Sequence, residues 1–437
     1  MTQVRTGWIA LAIIWAISLV FPHFQSSETV LGICLSFLLL MVFVFAFYAI
    51  SSGFNKPSIR WEEIWFVIPI ISYLAPISLL YLYQIEKPYY LWSKLTAGSM
   101  TLDGKVYPLG DLAQVTAAAN CQVPIEVGKV VCDPWLRLLN QNTDVVNVFR
   151  ILNLTNLPLV GIFFFLLFIC ILAVSLKQNS TSRIPILLFV SSPSILLAIE
   201  RGNELLTISL LVLGFQLLLG KNFQFRLLGI LLLFMASAFK LWPTFVIYVL
   251  LVLFRSQISK FEKLLLSAPI FYWLSNSSEA FAMIKSTQAG SLFGNSFGFK
   301  LWILSESKIS ILLFLLLFLL TMSYVVFRNL KVVDFESFAD INRSDSKILA
   351  AYSLNFFVIW LVGDSFAYRL VALVPIVIIL SKHQYQDRKI GKILLALTLT
   401  TVFTIRLSIA PVVTTCLALA LLYVSVNLLT NPKIRNS

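Results

Sequence analysis

Apolar runs recur from one end of this chain to the other, and they restrict its possible folds more than any motif does. They lie near residues 8–21, 30–51, 63–84, 157–176, 184–199, 205–219, 227–239, 241–254, 264–277, 307–327, 347–362, 370–381, 390–407 and 410–428. Of 437 residues, 59% are hydrophobic and only 12% charged. A water-soluble globule has too little interior for that much apolar surface. The pattern therefore predicts an all-α polytopic membrane protein with about 13–14 transmembrane or half-membrane helices. Several runs are shorter than the ~20 residues that cross a hydrocarbon core, as half-helices around a cavity can be. The first run is followed by Pro22-His23-Phe24-Gln25, which offers no small-x-small cleavage pattern, and is expected as a retained helix.

Basic residues orient the helices. With the N-terminus cytoplasmic, about 20 of the 33 Lys and Arg fall in short cytoplasmic loops, as the positive-inside rule asks. The net charge of +13 thus reads as an orientation signal, and no basic stripe on a soluble domain points to nucleic acid. The run 227–254 is long enough for one tilted helix, yet both flanks carry cytoplasmic-type basic clusters. A hairpin turning at Phe239-Lys240-Leu241-Trp242-Pro243 keeps both ends inside, with Pro243 in the first turn of the returning helix. The single-helix alternative places Lys240 in mid-bilayer and inverts every later loop. The expected location is the plasma or inner membrane, multi-pass. Residues 1–60 are expected as an N-terminal helix pair and 61–437 as the main transmembrane domain.

The long outer loop, 85–156, holds Asp111 behind the turn-forming Tyr107-Pro108-Leu109-Gly110, where it would N-cap a helix over 112–119. Cys121 and Cys132 lie in the same loop, on the oxidising side, and are candidates for a disulfide. Spacing alone does not fix their geometry. Cys34, Cys170 and Cys416 sit in apolar runs and read as small packing residues.

Ionisable residues inside apolar runs are functional candidates, because a charge near the bilayer centre costs roughly 2.5–3.5 kcal/mol. Glu200-Arg201-Gly202-Asn203-Glu204 and Lys240 are the clearest cases. With Asp111, and with Asp364, Tyr368 and Arg369, they form four constellations on the predicted outer side. Carboxylates plus fixed cations suit a reaction in which a base activates a hydroxyl while a phosphate departs. Each has a bland reading. Asp111 is a helix cap, Glu200–Arg201 and Asp364–Arg369 are local ion pairs, and Lys240 snorkels to the interface. Isolated His23 and His383 argue against a histidine metal site, and no P-loop or dinucleotide fingerprint occurs in a usable context. Asp111, Glu200 and Glu204 leave dependence on a divalent cation open.

The run Ser192-Pro193, then Glu200-Arg201-Gly202-Asn203-Glu204, followed by Ala236-Ser237-Ala238-Phe239-Lys240-Leu241-Trp242-Pro243, resembles glycosyltransferase family 87 of the GT-C superfamily. That family includes polyprenyl-phosphate-mannose-dependent mannosyltransferases. The resemblance covers about 184–254 and more loosely 85–381. It implies a polyprenyl-phosphate sugar donor and a catalytic carboxylate in an early outer loop. Asp111 is the best match, with Asp103 and Asp133 as fallbacks. In the family the catalytic loop follows the first helix, whereas here it follows the third run; the acidic residue after Asn203 is also immediately adjacent, unlike the looser family spacing.

The expectation is therefore an integral-membrane glycosyltransferase moving mannose or another sugar to an extracytoplasmic glycan or lipid acceptor. Asp111 is the expected base, with Arg201, Lys240 and Arg369 on the donor phosphate. Glu200, Asn203, Glu204, Asp364 and Tyr368 support them. A transporter, flippase or ligase of lipid-linked saccharides is the alternative.

Overall fold

The computed structural model describes residues 100–102, 105–107, 109–133, 136–177, 183–286, 296–297, 342–362, 365–404 and 410–431. The expected helix pair in 1–60, the runs at 63–84 and 307–327, Asp103 and Asp364 lie outside the described residues. In chain order the elements are β1 (Met100–Leu102), β2 (Lys105–Tyr107), α1 (Gly110–Asn120), α2 (Thr143–Ile151), α3 (Leu157–Lys177), α4 (Arg183–Val190) and α5 (Pro193–Arg201). Next come α6 (Asn203–Leu218), α7 (Phe223–Phe239), α8 (Trp242–Leu253), α9 (Lys260–Ser275), α10 (Ser277–Ser286) and β3 (Ser296–Phe297). They are followed by α11 (Arg343–Val362), β4 (Ser365–Phe366), a 3₁₀ helix (Ala367–Leu373), α12 (Val374–Leu380), α13 (His383–Gln386), α14 (Lys389–Thr404) and α15 (Ala410–Thr430). The described part is thus predominantly helical. Strands are limited there to two short antiparallel pairs, β1–β2 and β3–β4.

Among the described residues one stretch, Val413–Thr430, is long and apolar enough to cross a bilayer. Glu204–Leu218, Phe223–Phe239 and Trp242–Leu253 are shorter apolar helices. The apolar run at 184–199 is not one helix. It breaks between α4 and α5, where Pro193 occupies the first turn of α5 and Ser192 precedes it in extended geometry. Proline lacks the N–H that a continuous helix would need there. The run at 227–254 is also two helices, parted by Lys240 in an extended conformation. The hydroxyls of Ser237 and Thr244 hydrogen-bond to each other across that break. In one straight helix they would stand about 10 Å apart along the axis, so the chain turns sharply.

Two glycines let α6 and α7 approach closely. A Cβ at Gly214 would sit 2.9 Å from the Gly229 carbonyl oxygen, and one at Gly229 would sit 2.6 Å from the Gly214 carbonyl oxygen. Polar cross-links join other pairs: Ser194 donates to the Val402 carbonyl at 2.8 Å and Ser425 to that of Ala350 at 3.0 Å. The first gives a buried hydroxyl its partner; the Ser425 hydroxyl is shared with the Leu421 carbonyl of its own helix at 2.8 Å.

Helix α1 is fixed at both ends. Leu109 precedes it in the left-handed region (φ 58°), and its carbonyl accepts from Ala113 N–H at 2.7 Å. Leu109 is fully buried, and its methyls fill the space against Gly161 of α3 and Gly202, where Cβ atoms would collide or crowd. At the other end Arg150 of α2 donates to the carbonyls of Ala119 (3.2 Å), Ala118 (3.4 Å) and Cys121 (2.9 Å). These carbonyls lie at the negative end of the helix dipole, where a guanidinium belongs. Asp111 is therefore not the N-cap expected from sequence; Leu109 holds that place and Asp111 lies in the first turn. Its carboxylate is engaged by arginines instead of by its own backbone.

Ion pairs also close the opposite end of α7. Arg226 binds Glu262 through two contacts of 2.5 and 2.7 Å and donates to the Gln257 carbonyl at 2.9 Å. Ser259 and Glu262 form a reciprocal capping box at the start of α9. The Arg226 hydrogen bonds hold the Glu262 carboxyl down to about 2, against burial, which acts to raise it.

Two predictions follow from this packing. Gly202→Ala combines φ 80° with Cβ contacts of 3.2 Å to Leu109 and Leu112. It should destabilise by at least about 1–3 kcal/mol in a detergent unfolding assay. Because Glu262 has a depressed folded pKa, its contribution is complete above about 4.5 and is lost as pH falls toward about 2. Glu262→Gln should flatten the pH dependence of unfolding in that window while lowering stability at pH 7.

Candidate functional site

Helices α5 and α6 meet at Gly202, the single residue between them, which takes φ 80°. That turn presents Glu200 and Arg201 from the last turn of α5 and Glu204 from the first turn of α6. Helix α1 lies directly over it, because Leu109 and Leu112 pack on Gly202. The pentad and Asp111 are therefore brought together by a contact made through a glycine.

Arg201 lies between two carboxylates, 3.6 Å from Asp111 Oδ1 and 3.3 Å from Glu200 Oε2. Glu200 is fully buried and Arg201 only partly so. Asp111 is also held by Arg137, whose Nη1 stands 3.3 Å from Oδ1. Glu204 is buried as well. Its Oε1 lies 3.8 Å from Lys240 Nζ, and its Oε2 accepts from the Trp242 indole at 3.4 Å.

Lys240 sits in the turn between α7 and α8, outside both helices. Lys240 is buried with Glu204 beside it, and Arg369 and Asp111 lie near enough for their charges to reach it. The charges of Glu204, Arg369 and Asp111 thus all act on Lys240 through space. Arg369 belongs to the 3₁₀ helix Ala367–Leu373, which packs against α5.

Of the residues singled out in the sequence, Asp111, Glu200, Arg201, Glu204, Lys240 and Arg369 converge on one end of the helices. Asn203 opens α6 and Tyr368 lies in the 3₁₀ helix; only their backbone is described. Cys121 and Cys132 are joined in a disulfide, with Cα atoms 6.0 Å apart. Asp133 also enters the cluster, through Arg137. Among the described residues no group of three or more His, Cys, Asp or Glu side chains is arranged to hold a metal ion. The protein's own cations Arg201 and Lys240 stand beside Asp111, Glu200 and Glu204.

Arg137 is the member that sequence reasoning missed. The one signal that marked it was the four-residue spacing to Asp133, a common ion-pair spacing that says nothing of Asp111. Its position follows from a chain reversal after α1.

The arrangement is an array of fixed cations beside a carboxylate that is partly open to solvent. Arginine suits forked contact with phosphate oxygens and lysine supplies a point charge. Such an array can bind an anion and hold a carboxylate near a reacting hydroxyl. Comparisons with protein-family models, curated proteins and solved structures found no match to this chain.

Breaking the Lys240–Glu204 pair from one side strands a buried carboxylate. Lys240→Met should therefore cost about 3–5 kcal/mol, and Lys240→Met with Glu204→Gln should recover most of it. Thermal unfolding of the purified variants in detergent reads both. Equal stability of the single and double variants would contradict the pairing.

Proposed function

We propose that this chain is a polytopic membrane glycosyltransferase of GT-C type, resembling family 87, with its active site at the outer face. The observation that carries the reading is the convergence of Asp111, Arg201, Lys240 and Arg369 from four separate segments of the chain. The ERGN and A-x-K-x-x-P motifs that carry the resemblance are thereby parts of one charged cluster. The placement of charge along α7 supports the assigned side. Arg226 and Lys240 are separated by about 21 Å of helix, and the cytoplasmic-type basic residues lie at the Arg226 end.

The donor is a polyprenyl-phosphate sugar, mannose or another hexose or pentose, and the acceptor an extracytoplasmic glycan or lipid. Asp111 takes the proton from an acceptor hydroxyl as that oxygen attacks the anomeric carbon. The bond from anomeric carbon to phosphate oxygen breaks, and polyprenyl phosphate leaves with the electron pair. Direct displacement inverts the anomeric centre. Arg201, Lys240 and Arg369 stabilise the charge that grows on the phosphate, the largest electrostatic demand of the reaction. Glu200 orients Arg201, and an arriving phosphate competes with Asp111 for the same guanidinium. The lipid tail lies along the apolar sides of the short helices α6, α7 and α8. A requirement for a divalent cation is not part of the proposal.

The test is sugar transfer by purified protein in vesicles supplied with a polyprenyl-phosphate hexose and candidate acceptors. Asp111→Asn should lower kcat by about 100- to 10,000-fold, the usual range for a general base. Unchanged turnover in that variant would remove Asp111 from the role. Movement of the lipid-linked sugar across the vesicle without transfer would instead identify a flippase.

A further inference from the structure

We propose that Arg137 is a positioning residue for Asp111, delivered to it by the segment after α1, whose first part the Cys121–Cys132 disulfide closes; the inference rests on the glycosyltransferase reading above. The segment begins where α1 ends, yet Arg137 contacts the beginning of α1, about 16 Å away along the helix axis. The chain must therefore double back along α1. It does so in a defined form. Gly128 N–H donates to the Leu139 carbonyl at 2.9 Å, and Leu139 N–H donates to that of Lys129 at 2.8 Å. Val130 and Leu138 pair between them, and the Gln114 amide of α1 holds the Leu138 carbonyl at 3.0 Å. The Cys121–Cys132 disulfide ties the outgoing arm to the C-terminal end of α1.

Immediately after Cys132, Asp133 is buried and fixes Arg137. Its carboxylate accepts from the Arg137 backbone N–H at 2.9 Å, from Nε at 3.0 Å and from Nη2 at 2.7 Å. Nη2 also donates to the Gly110 carbonyl at 2.7 Å, and Nη1 to Asp111 Oδ1 at 3.3 Å. At least four of the five guanidinium N–H groups are thus engaged within the protein, by bonds that fix both the plane of the fork and its distance from α1. That disposition suits holding a carboxylate and leaves little for a phosphate.

Arg201 is built otherwise. It reaches Asp111 at 3.6 Å from a helix terminus beside Glu200, where an incoming anion can draw on it. The two arginines on Asp111 therefore divide the work. Arg137 sets where the carboxylate points in both free and loaded protein, and Arg201 answers to the donor. A carboxylate displaced by about 1 Å can lose on the order of 100-fold in rate without any change in donor binding.

The experiment compares wild type with Arg137→Met, Arg137→Lys and Asp111→Asn in the same vesicle transfer assay, with Kd for polyprenyl phosphate measured in parallel. Arg137→Met should lower kcat by about 10- to 100-fold, with donor KM and polyprenyl phosphate Kd within about twofold of wild type. Arg137→Lys keeps the charge but not the fork and should fall between. Should Arg137→Met fail to fold, Asp133→Asn carries the test, since it loosens the guanidinium without removing it; the same kcat loss at constant Kd is expected. Wild-type kcat in the altered protein, or a weakened Kd at constant kcat, overturns the inference alone. A wild-type protein that transfers no sugar overturns the glycosyltransferase reading and this inference with it; a fully active Asp111→Asn removes Asp111 as the base, and this inference with it, while leaving the transferase reading standing.

Discussion

The seating of Leu109 and Leu112 on Gly202 is the contact on which the charged cluster depends. It places the first turn of α1 over the one-residue link between α5 and α6, so Asp111 comes to lie against Arg201. A Cβ at position 202 would stand 3.2 Å from both leucines and crowd that contact. The contact is apolar and the groups it aligns are ionic, which is physically sensible. Close packing fixes position sharply, whereas an ion pair alone tolerates displacement at modest cost. Leu109 also has to adopt a left-handed backbone to enter the site, a conformation that branched or bulky residues visit rarely. The strain is borne where α1 must be exact in position, beside the cluster.

Burying Glu200, Glu204 and Lys240 is costly unless each meets an opposite charge and hydrogen-bond donors. The fold sets an opposite charge beside each carboxylate: Arg201 for Glu200, and Lys240 for Glu204, which also accepts from the Trp242 indole. Such pairs are weak sources of stability, since apolar side chains of similar size would serve as well or better. Their concentration at one end of the helices therefore favours the proposed role over one in stability. Oriented charges in a partly desolvated site act strongly on a charge that develops between them, and they require no rearrangement when it does.

Much of this was legible from residues that violate a local rule. A lysine inside an apolar run, followed by Trp-Pro, marked the break between α7 and α8, because the alternative buried a charge in mid-membrane. The pentad marked a turn for the same reason, and Gly202 supplied the conformation that turn needs. What could not be read were contacts that obey every local rule. Leu109 looks like any leucine in a turn, and Asp111 looks like a helix cap until Arg137 and Arg201 are seen to hold it. The break at Pro193 was visible as a residue yet hidden in a run that is apolar on average, since hydropathy does not register a missing N–H. Arg137 stands 26 positions from Asp111, with a chain reversal between them that no periodicity announces.

The two ends of α7 show how the same ionic chemistry serves different ends. At Arg226 and Glu262 the partners approach to 2.5 Å, within a capping box, and a backbone carbonyl takes a further donor. Their charges are matched as closely as geometry allows, and the pair acts as a clasp. At the Lys240 end the ion-pair contacts of Arg201 and Lys240 are 3.3 to 3.8 Å, and each of these two cations faces more than one carboxylate or cation. Longer contacts shared among several partners exert weaker mutual restraint and leave more of each charge for a third group. A newly arriving phosphate would find little to gain from the clasp and a good deal from the open cluster. The difference in spacing, more than the presence of charge, is what favours the proposed anion role for the cluster over one for the clasp.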